Sequence, residues 1–155
     1  MKKFMKMAVQ SAAEGILRGE GGPFGACIVK NGRVIACAHN QVLKNQDPTC
    51  HAEIQAIRQA SKKLKSFDLS GCEIYSTTEP CPMCFAAIHW ARIPKLYYGT
   101  SITDVAKRGF NELPVSNVLL KKKGALSIQI QKRFAHNDCL ALLKKWDKLQ
   151  FKITY

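Results

Sequence analysis

The chain has 155 residues, a length that suits one domain and is sufficient to bury a hydrophobic core without disulfide bonds. Hydrophobic residues make up 46% of it and charged residues 23%, which excludes a disordered chain and predicts a single folded domain over residues 1–155. No segment approaches the ~20 apolar residues of a membrane span, and residues 1–20 lack the pattern of a secretory signal. We therefore expect a cytoplasmic protein that makes no membrane contact.

The balance of charge is strongly basic. The formal net charge is +13, and lysine outnumbers arginine 18 to 6. A basic surface suits a nucleic-acid partner because it neutralises phosphate groups, but a lysine-rich surface commonly serves only solvation. The charge therefore favours a solvated surface and leaves RNA open as a partner.

The seven cysteines are an odd number in a chain of ordinary core-forming composition, so a disulfide framework is not expected. Metal binding or burial in the core explains them better. We expect five of them to be small buried side chains: Cys27, Cys37, Cys50, Cys72 and Cys139.

The first half of the chain predicts a helix, a β-hairpin and a second helix. Apolar and small residues recur at helical spacing over Phe4–Leu17. Two short apolar segments, Phe24–Val29 and Val34–Ala38, flank the dipeptide Asn31-Gly32, which is typical of a hairpin turn. After a polar segment, an apolar stripe at helical spacing predicts a helix that opens at His51.

Strands and helices alternate through the second half. Because helices must cover both faces of such a sheet, the pattern predicts a three-layer α/β/α fold with a mixed five-stranded sheet. The predicted elements are strands at Glu73–Thr77, Lys95–Gly99 and Leu126–Ile130, and helices at Pro82–Trp90, Ile102–Lys107 and His136–Lys148.

The segment Cys81-Pro82-Met83-Cys84 places two thiols three residues apart at the predicted start of a helix. Side chains at positions i and i+3 share one helix face, so both sulfurs can reach a single ion. The partial positive charge of a helix start favours the thiolate, which is the form that binds metal. On its own, such a pair could instead be redox-active or structural.

A third ligand has to come from elsewhere, because the other cysteines form no second close pair. His51 opens a helix and is followed two positions later by Glu53. Side chains in a first turn tilt toward the helix start, so both can point beyond it and meet the two cysteines. His-x-Glu upstream of Pro-Cys-x-x-Cys is the signature of zinc nucleobase deaminases.

We therefore expect one zinc ion per chain, bound by His51, Cys81 and Cys84. Three protein ligands leave the fourth tetrahedral position to water, which distinguishes a catalytic site from a structural one. Zinc lowers the pKa of that water to about 7, so Glu53 is expected to be catalytic by moving protons and not by binding metal. The alternative is a noncatalytic, zinc-stabilised module that binds nucleic acid or protein, which normally needs a fourth protein ligand.

With the stretches that surround these motifs, the chain resembles the cytidine deaminase-like superfamily and, within it, bacterial guanine deaminases. The resemblance runs from about Ala8 to Phe110. It implies hydrolysis of guanine to xanthine and ammonia by a homodimer. The stretches are Gly21-Gly22-Pro23-Phe24-Gly25-Ala26, Asn40, Asp47-Pro48-Thr49 and Ala87-Ile88-His89-Trp90-Ala91-Arg92.

The resemblance also implies substrate contacts. Asn40 would hydrogen-bond the base, and Phe24 would pack against its ring. Guanine-specific members often carry Gly-Phe-Asp-Asp where this chain has Gly109-Phe110-Asn111-Glu112, which makes Glu112 a substrate-binding and catalytic candidate. In such enzymes the C-terminal segment helps to close the active site, sometimes from the partner subunit, so Tyr155 becomes a substrate-binding candidate, with core packing as the alternative.

A tRNA adenosine-to-inosine deaminase is the second candidate, since that group shares Asp47-Pro48-Thr49. Its bacterial members usually read Pro-Val-Gly-Ala and Cys-Ala-Gly-Ala where this chain has Phe24 and Phe85. We therefore expect a small nucleobase as the substrate. Of the residues beside the motifs, we expect His39 to be an ordinary strand residue and Glu79 to be an acid at a helix terminus that binds no metal.

Overall fold

Helices and strands alternate along most of the chain, whose computed structural model describes residues 1–155. The strands are β1 (Gly25–Lys30), β2 (Arg33–His39), β3 (Cys72–Thr78), β4 (Lys95–Thr100) and β5 (Gln129–Gln131). The helices are α1 (Lys2–Leu17), α2 (Val42–Asn45), α3 (Ala52–Leu64), α4 (Pro82–Trp90), α5 (Ile102–Ala106), α6 (Asn117–Lys123) and α7 (His136–Asp147).

The five strands form one mixed sheet in the order β2-β1-β3-β4-β5. Strand β1 pairs antiparallel with β2 and β3, whereas β3, β4 and β5 run parallel to one another. The β1–β2 hairpin turns at Asn31 and Gly32, which have φ values of 50° and 72°. Positive φ at both central residues suits the twist of a tight hairpin, as the sequence predicts.

Helices cover both faces of the sheet because successive strand residues point to opposite sides. On β1, Ala26 and Ile28 belong to a hydrophobic cluster with residues of α3 and α4. Their neighbours Cys27 and Val29 belong to a second cluster with residues of α1. Helix α7 also contacts α1 and strand β4. The predicted α/β/α fold with a five-stranded mixed sheet is confirmed.

The region before the last strand differs from the prediction. The segment Leu126–Ile130 was expected to be a strand, but β5 covers only Gln129–Gln131, beside Lys95–Tyr97 of β4. Residues 124–126 instead form the turn that ends helix α6, since the backbone N–H of Leu126 donates to the carbonyl of Lys121 at 3.0 Å. Helix α6 itself has no apolar stripe that would predict it.

Four of the five cysteines expected in the core are buried, but Cys37 on edge strand β2 is only half-buried. An edge strand has a neighbour on one side only, which leaves its residues more accessible. No helix of the chain combines the length and apolar character required to cross a membrane.

Candidate active site

The two sequence motifs lie at the starts of neighbouring helices. His51 is the residue before α3 and Cys81 the residue before α4, and both have extended backbone angles. Pro82 occupies the first position of α4, where its missing N–H costs no helical hydrogen bond. Strand β3 directly precedes α4 in the chain, and helices α3 and α4 contact each other. Both helix starts therefore lie at the same end of the sheet.

The candidate metal ligands converge at these helix starts. The Nδ1 atom of His51 lies 3.6 Å from Sγ of Cys81 and 3.5 Å from Sγ of Cys84. Bond lengths of about 2.3 Å to sulfur and 2.0 Å to nitrogen would place such atoms roughly 3.5 Å apart around tetrahedral zinc. The three donor atoms all lie within 4.8 Å of one another, and no other His, Cys, Asp or Glu joins them. This donor set fits zinc with a position left for a non-protein ligand.

The surroundings of the two thiols favour ionisation of Cys81. The hydrogen bond from Cys84, supported by the one with His51, lowers the pKa of Cys81 to about 4 even though burial opposes ionisation. The same interaction and burial raise the pKa of Cys84. At least one thiolate is therefore available at neutral pH, and a cation at this point would favour the second.

Glu53 lies in the first turn of α3 and is only 6% exposed. Burial raises the pKa of its carboxyl group, and the positive charge of His51 opposes that rise. The hydroxyl of Ser76 on β3 lies 2.7 Å from its Oε1 atom. Glu53 lines the same cavity as His51 and Cys81 but is not one of the converging donors. A buried carboxyl group with a raised pKa is suited to accept and return a proton.

A cavity of about 360 Å³ opens at the candidate ligands. Its size is within the range of small-molecule sites. Of the residues proposed from the sequence, Phe24, His51, Glu53, Cys81, Glu112 and Tyr155 line it. Further lining residues that the sequence did not single out come from several elements, which only the fold brings together: Val42 of α2, Thr78 of β3, and Leu113.

Three aromatic rings form one wall of the cavity. The ring centroids of Phe24 and Phe110 are 5.0 Å apart at 68°, and those of Phe110 and Tyr155 are 5.6 Å apart at 86°. Such edge-to-face contacts are favourable and keep the rings in place. Gly22 allows this packing, since a Cβ atom there would lie 2.6 Å from the Phe24 ring. The wall gives the cavity an aromatic lining on this side.

Asn40 lies beside this wall and is 1% exposed. Its Oδ1 atom accepts from the backbone N–H of Val42 at 3.1 Å and from the hydroxyl of Tyr155. The backbone N–H can only donate, so the orientation of the amide is fixed. Its Nδ2 atom has no partner in the protein. A buried unpaired donor is costly, which makes this NH2 group a candidate ligand contact.

Glu112 and the C-terminal residue Tyr155 both line the cavity. Burial, and next the negative charge of Cys81, raise the pKa of Glu112. The N–H of Asn111 donates to the backbone carbonyl of Tyr155 at 3.1 Å, and the N–H of Gly22 donates to the Tyr155 hydroxyl at 3.0 Å. Burial raises the pKa of Tyr155 to about 12, so it stays a neutral phenol. The chain's own C-terminus therefore lies against the cavity.

Three aromatic residues near the C-terminus, Trp146, Phe151 and Tyr155, differ in burial. Trp146 of α7 is buried in a hydrophobic cluster, whereas Phe151 is 94% exposed. Only Tyr155 of these three reaches the cavity.

The carboxylate of Glu79 lies at the start of helix α6. It is buried, and its Oε1 atom accepts from the backbone N–H of Asn117 at the start of α6, at 2.9 Å. The side-chain NH2 of Asn117 in turn donates to the carbonyl of Pro80 at 2.6 Å. The residue before Cys81 is thus tied to α6. Glu79 is not one of the three converging donors.

His39 is the last residue of strand β2, as predicted, and its side chain also connects two segments of the chain. Its ring contacts Ser11 through Nδ1 at 3.1 Å and the carboxylate of Glu20 through Nε2 at 2.6 Å. Lys44 also donates to Glu20, at 3.0 Å. These contacts tie the segment after α1 to the end of β2, next to Asn40. The partners are distant in sequence, so no local pattern signals them.

The family model for the cytidine and deoxycytidylate deaminase zinc-binding region matches residues 1–100. The chain is 50% identical to the guanine deaminase of Bacillus subtilis (strain 168) over 109 residues, which are 70% of each protein. It is also 35% identical to a tRNA-specific adenosine deaminase of Buchnera aphidicola subsp. Baizongia pistaciae over 153 residues, 99% of this chain and 91% of that one.

Solved structures give the same two groups. The chain matches a structure of the guanine deaminase from Nitrosomonas europaea with a TM-score of 0.85 and 29% identity, over 94% of this chain and 84% of that one. It matches a structure from a study of tRNA:A34 deaminases with a TM-score of 0.79 and 34% identity, over 92% and 99%. The chain therefore belongs to the cytidine and deoxycytidylate deaminase family and is a hydrolytic deaminase of a nucleobase or nucleotide.

Proposed function

We propose that this deaminase acts on guanine, releasing ammonia and forming xanthine. The observation that carries the proposal is the unpaired, buried NH2 group of Asn40, whose Oδ1 atom contacts Tyr155 of the aromatic wall. That wall lines the same cavity as Glu53 and Glu112. A planar base with a ring carbonyl or ring nitrogen gives the amide an acceptor. Glu112 can accept from a ring N–H on the opposite side. The 50% identity to the Bacillus enzyme adds support.

Each step of the reaction has a residue suited to it. A zinc ion held by His51, Cys81 and Cys84 would supply Lewis-acid activation of the attacking water. Glu53 accepts one proton from the attacking water and passes it to the ring nitrogen, then accepts the proton of the added hydroxyl and passes it to the departing amine. A carbon–oxygen bond forms as the carbon–nitrogen bond to the exocyclic amine breaks. The raised pKa of Glu53 suits both halves of this transfer.

Binding of the base depends on the surrounding wall. Phe24 and Phe110 present ring surface to the base, and Asn40 fixes its orientation through one hydrogen bond. Tyr155 holds the amide of Asn40 from the far side and limits access of bulk water.

A substrate panel tests this assignment. Purified zinc-loaded protein is incubated with guanine, adenine, cytosine, cytidine, adenosine and isocytosine, and released ammonia is measured. We expect ammonia from guanine, with stoichiometric xanthine. Ammonia from another member of the panel, with none from guanine, would remove guanine and retain the deaminase assignment.

The second candidate is adenosine-to-inosine deamination in tRNA. The net charge of +13 and the 35% identity to the Buchnera tRNA-specific adenosine deaminase favour it. A salt titration of tRNA binding, followed by measurement of inosine, distinguishes the two. Tight binding that weakens steeply with salt, together with inosine formation, would replace guanine with tRNA.

A zinc-stabilised binding module without activity is the remaining alternative. Two features disfavour it: the donor group contains three residues and no fourth, and a buried carboxyl group lines the adjoining cavity. Structural zinc sites normally contain four protein ligands. Zinc-loaded protein that is inactive on every base and on tRNA would support this alternative.

A further inference from the structure

Behind Glu53, away from the cavity, lies a buried hydroxyl group that the reaction scheme does not use. Ser76 is on β3, on the same strand face as Ile74, and it is 1% exposed. Its Oγ atom lies 2.7 Å from Oε1 of Glu53 and 2.7 Å from the backbone carbonyl of Thr78. Ser76 does not line the cavity, so any effect on the reaction has to pass through Glu53.

The two contacts compete for one hydrogen atom. A serine hydroxyl donates one hydrogen bond and accepts others, whereas the Thr78 carbonyl only accepts. The hydroxyl lies 2.7 Å from both acceptors, so it connects the carboxyl group of Glu53 to the backbone of β3.

We propose that Ser76 is a positioning residue for proton transfer by Glu53, an inference that rests on the proposed role of Glu53 but not on the choice of base. One carboxyl oxygen is anchored to the sheet throughout turnover, and the group keeps its direction toward the cavity. An unanchored carboxyl group would rotate about its terminal bond, which is a soft torsion. Proton transfer depends on alignment, so loss of the anchor slows the chemical step.

The alternative is that Ser76 only stabilises the fold by pairing a buried acid. The chain offers a matched control for this, since Thr100 on the adjacent strand is equally buried at 1% exposure. Its hydroxyl donates to the carbonyl of Thr77 at 3.1 Å and lies 2.8 Å from the hydroxyl of Thr78. It does not contact Glu53. Thr100→Val therefore removes a buried hydrogen bond from the sheet without freeing the carboxyl group.

The test compares steady-state kinetics on the base that the wild type deaminates best, with zinc content and melting temperature measured in parallel. We expect Ser76→Ala to lower kcat by about 10- to 100-fold with little change in KM and with zinc retained. Ser76→Thr, which keeps the hydroxyl, should restore most of kcat. Thr100→Val should lower the melting temperature comparably but change kcat less than about twofold.

The outcomes separate the two levels of the proposal. An active wild type whose Ser76→Ala variant keeps its kcat overturns the role of Ser76 alone. Equal losses of kcat in Ser76→Ala and Thr100→Val overturn it in favour of a purely structural role. Should Ser76→Thr fail to fold, Ser76→Cys with its weaker donor is expected to give an intermediate kcat, and a kcat equal to that of alanine would contradict the proposal. A wild type inactive on every substrate overturns the proposed function itself.

Discussion

At the scale of single residues, Asn40 has a buried side-chain donor with no partner in the protein. Two donors fix its carbonyl oxygen, and its NH2 group is buried without a partner. A polar group left unpaired in this way lowers stability, so proteins keep it where a ligand completes the hydrogen bond. This NH2 group is the donor that the proposed function assigns to the substrate.

Replacing Asn40 with alanine is expected to raise KM for guanine by about 10- to 100-fold, because one hydrogen bond to the base is lost. The effect on kcat should be smaller, since the amide does not take part in proton transfer. Tyr155→Phe is the comparison, because it keeps the ring and removes the hydroxyl that donates to Asn40 and accepts from the N–H of Gly22. Steady-state kinetics measure both variants, and an unchanged KM for Asn40→Ala would exclude the contact.

A second residue-scale feature is the carboxylate of Glu20. Hydrogen bonds from His39, and also from Lys44, lower its pKa from an ordinary 4.5 to about 2. A carboxyl group with a lower pKa in the folded state stabilises the fold when ionised. Its contribution is complete above about pH 4.5 and is lost as the pH falls toward 2.

The expected result is that Glu20→Gln is less stable than the wild type at pH 7 and that the difference shrinks between pH 4.5 and pH 2. Urea unfolding across this range measures it. Asp68, whose pKa is also lowered to about 2 through hydrogen bonds from Ser70 and Arg92, remains in both proteins and contributes equally. A difference that stayed constant down to pH 2 would contradict the assignment.

The candidate ligands and Glu53 could be predicted from the sequence because their spacing and residue types are themselves the signature. His51 and Glu53 are two positions apart, and each cysteine lies within one turn of the other. Ser76 could not be predicted in this way. Its partner Glu53 is 23 residues away, and only the packing of α3 against the sheet brings them together.

At the scale of elements, helix α6 has a function that its sequence does not reveal. Its first residue, Asn117, connects the carboxylate of Glu79 to the carbonyl of Pro80, directly before Cys81. Both side chains are buried. These contacts hold the segment that carries the candidate zinc ligand Cys81, as the outer partners of metal ligands commonly do.

We expect Asn117→Ala to release zinc about 10-fold faster than the wild type, because Pro80 loses its donor and the Cys81 segment becomes less restrained. Transfer of zinc to a chromogenic chelator measures the rate. Leu119→Ala on the same helix is the control, since Leu119 is 46% exposed and lies outside these contacts. Equal release rates for the wild type and Asn117→Ala would contradict this role for α6.

Predictability of the elements follows their length and periodicity. Helices α1, α3, α4 and α7 carry apolar residues along one side or a clear start signal, and all four were predicted. Helix α2 has four residues, and strand β5 has three. Such short elements depend on long-range contacts: the N–H of Gln129 donates to the carbonyl of Pro94 at 2.8 Å and thereby fixes where β5 begins.

At the scale of the whole molecule, the net charge of +13 is the property that the proposed reaction does not require. Guanine is neutral near pH 7, so its encounter with the enzyme gains little from a basic surface. A polynucleotide would gain a great deal, because binding releases condensed counterions. Salt dependence therefore distinguishes the two substrate classes without reference to any single residue.

Raising the salt concentration from 50 to 200 mM should change kcat/KM for guanine by less than about threefold, since screening weakens only interactions between charges. Over the same range, binding of tRNA that depends on six to ten phosphate contacts would weaken by about 10³- to 10⁵-fold. Kinetics and filter binding measure the two quantities. A steep loss of guanine turnover with salt would contradict the expectation that the basic surface plays little part in the encounter with guanine.

The proposed reaction depends most on Glu53, which moves protons and does not bind the metal. The zinc site beside it is formed by His51, Cys81 and Cys84. The most direct measurement is turnover of guanine and zinc content on the same preparation of Glu53→Gln, which keeps the size of the side chain and removes its acid–base function. We expect one zinc ion per chain with turnover reduced by at least about 10²-fold. A variant that lost the metal, or one that kept both metal and turnover, would contradict the account.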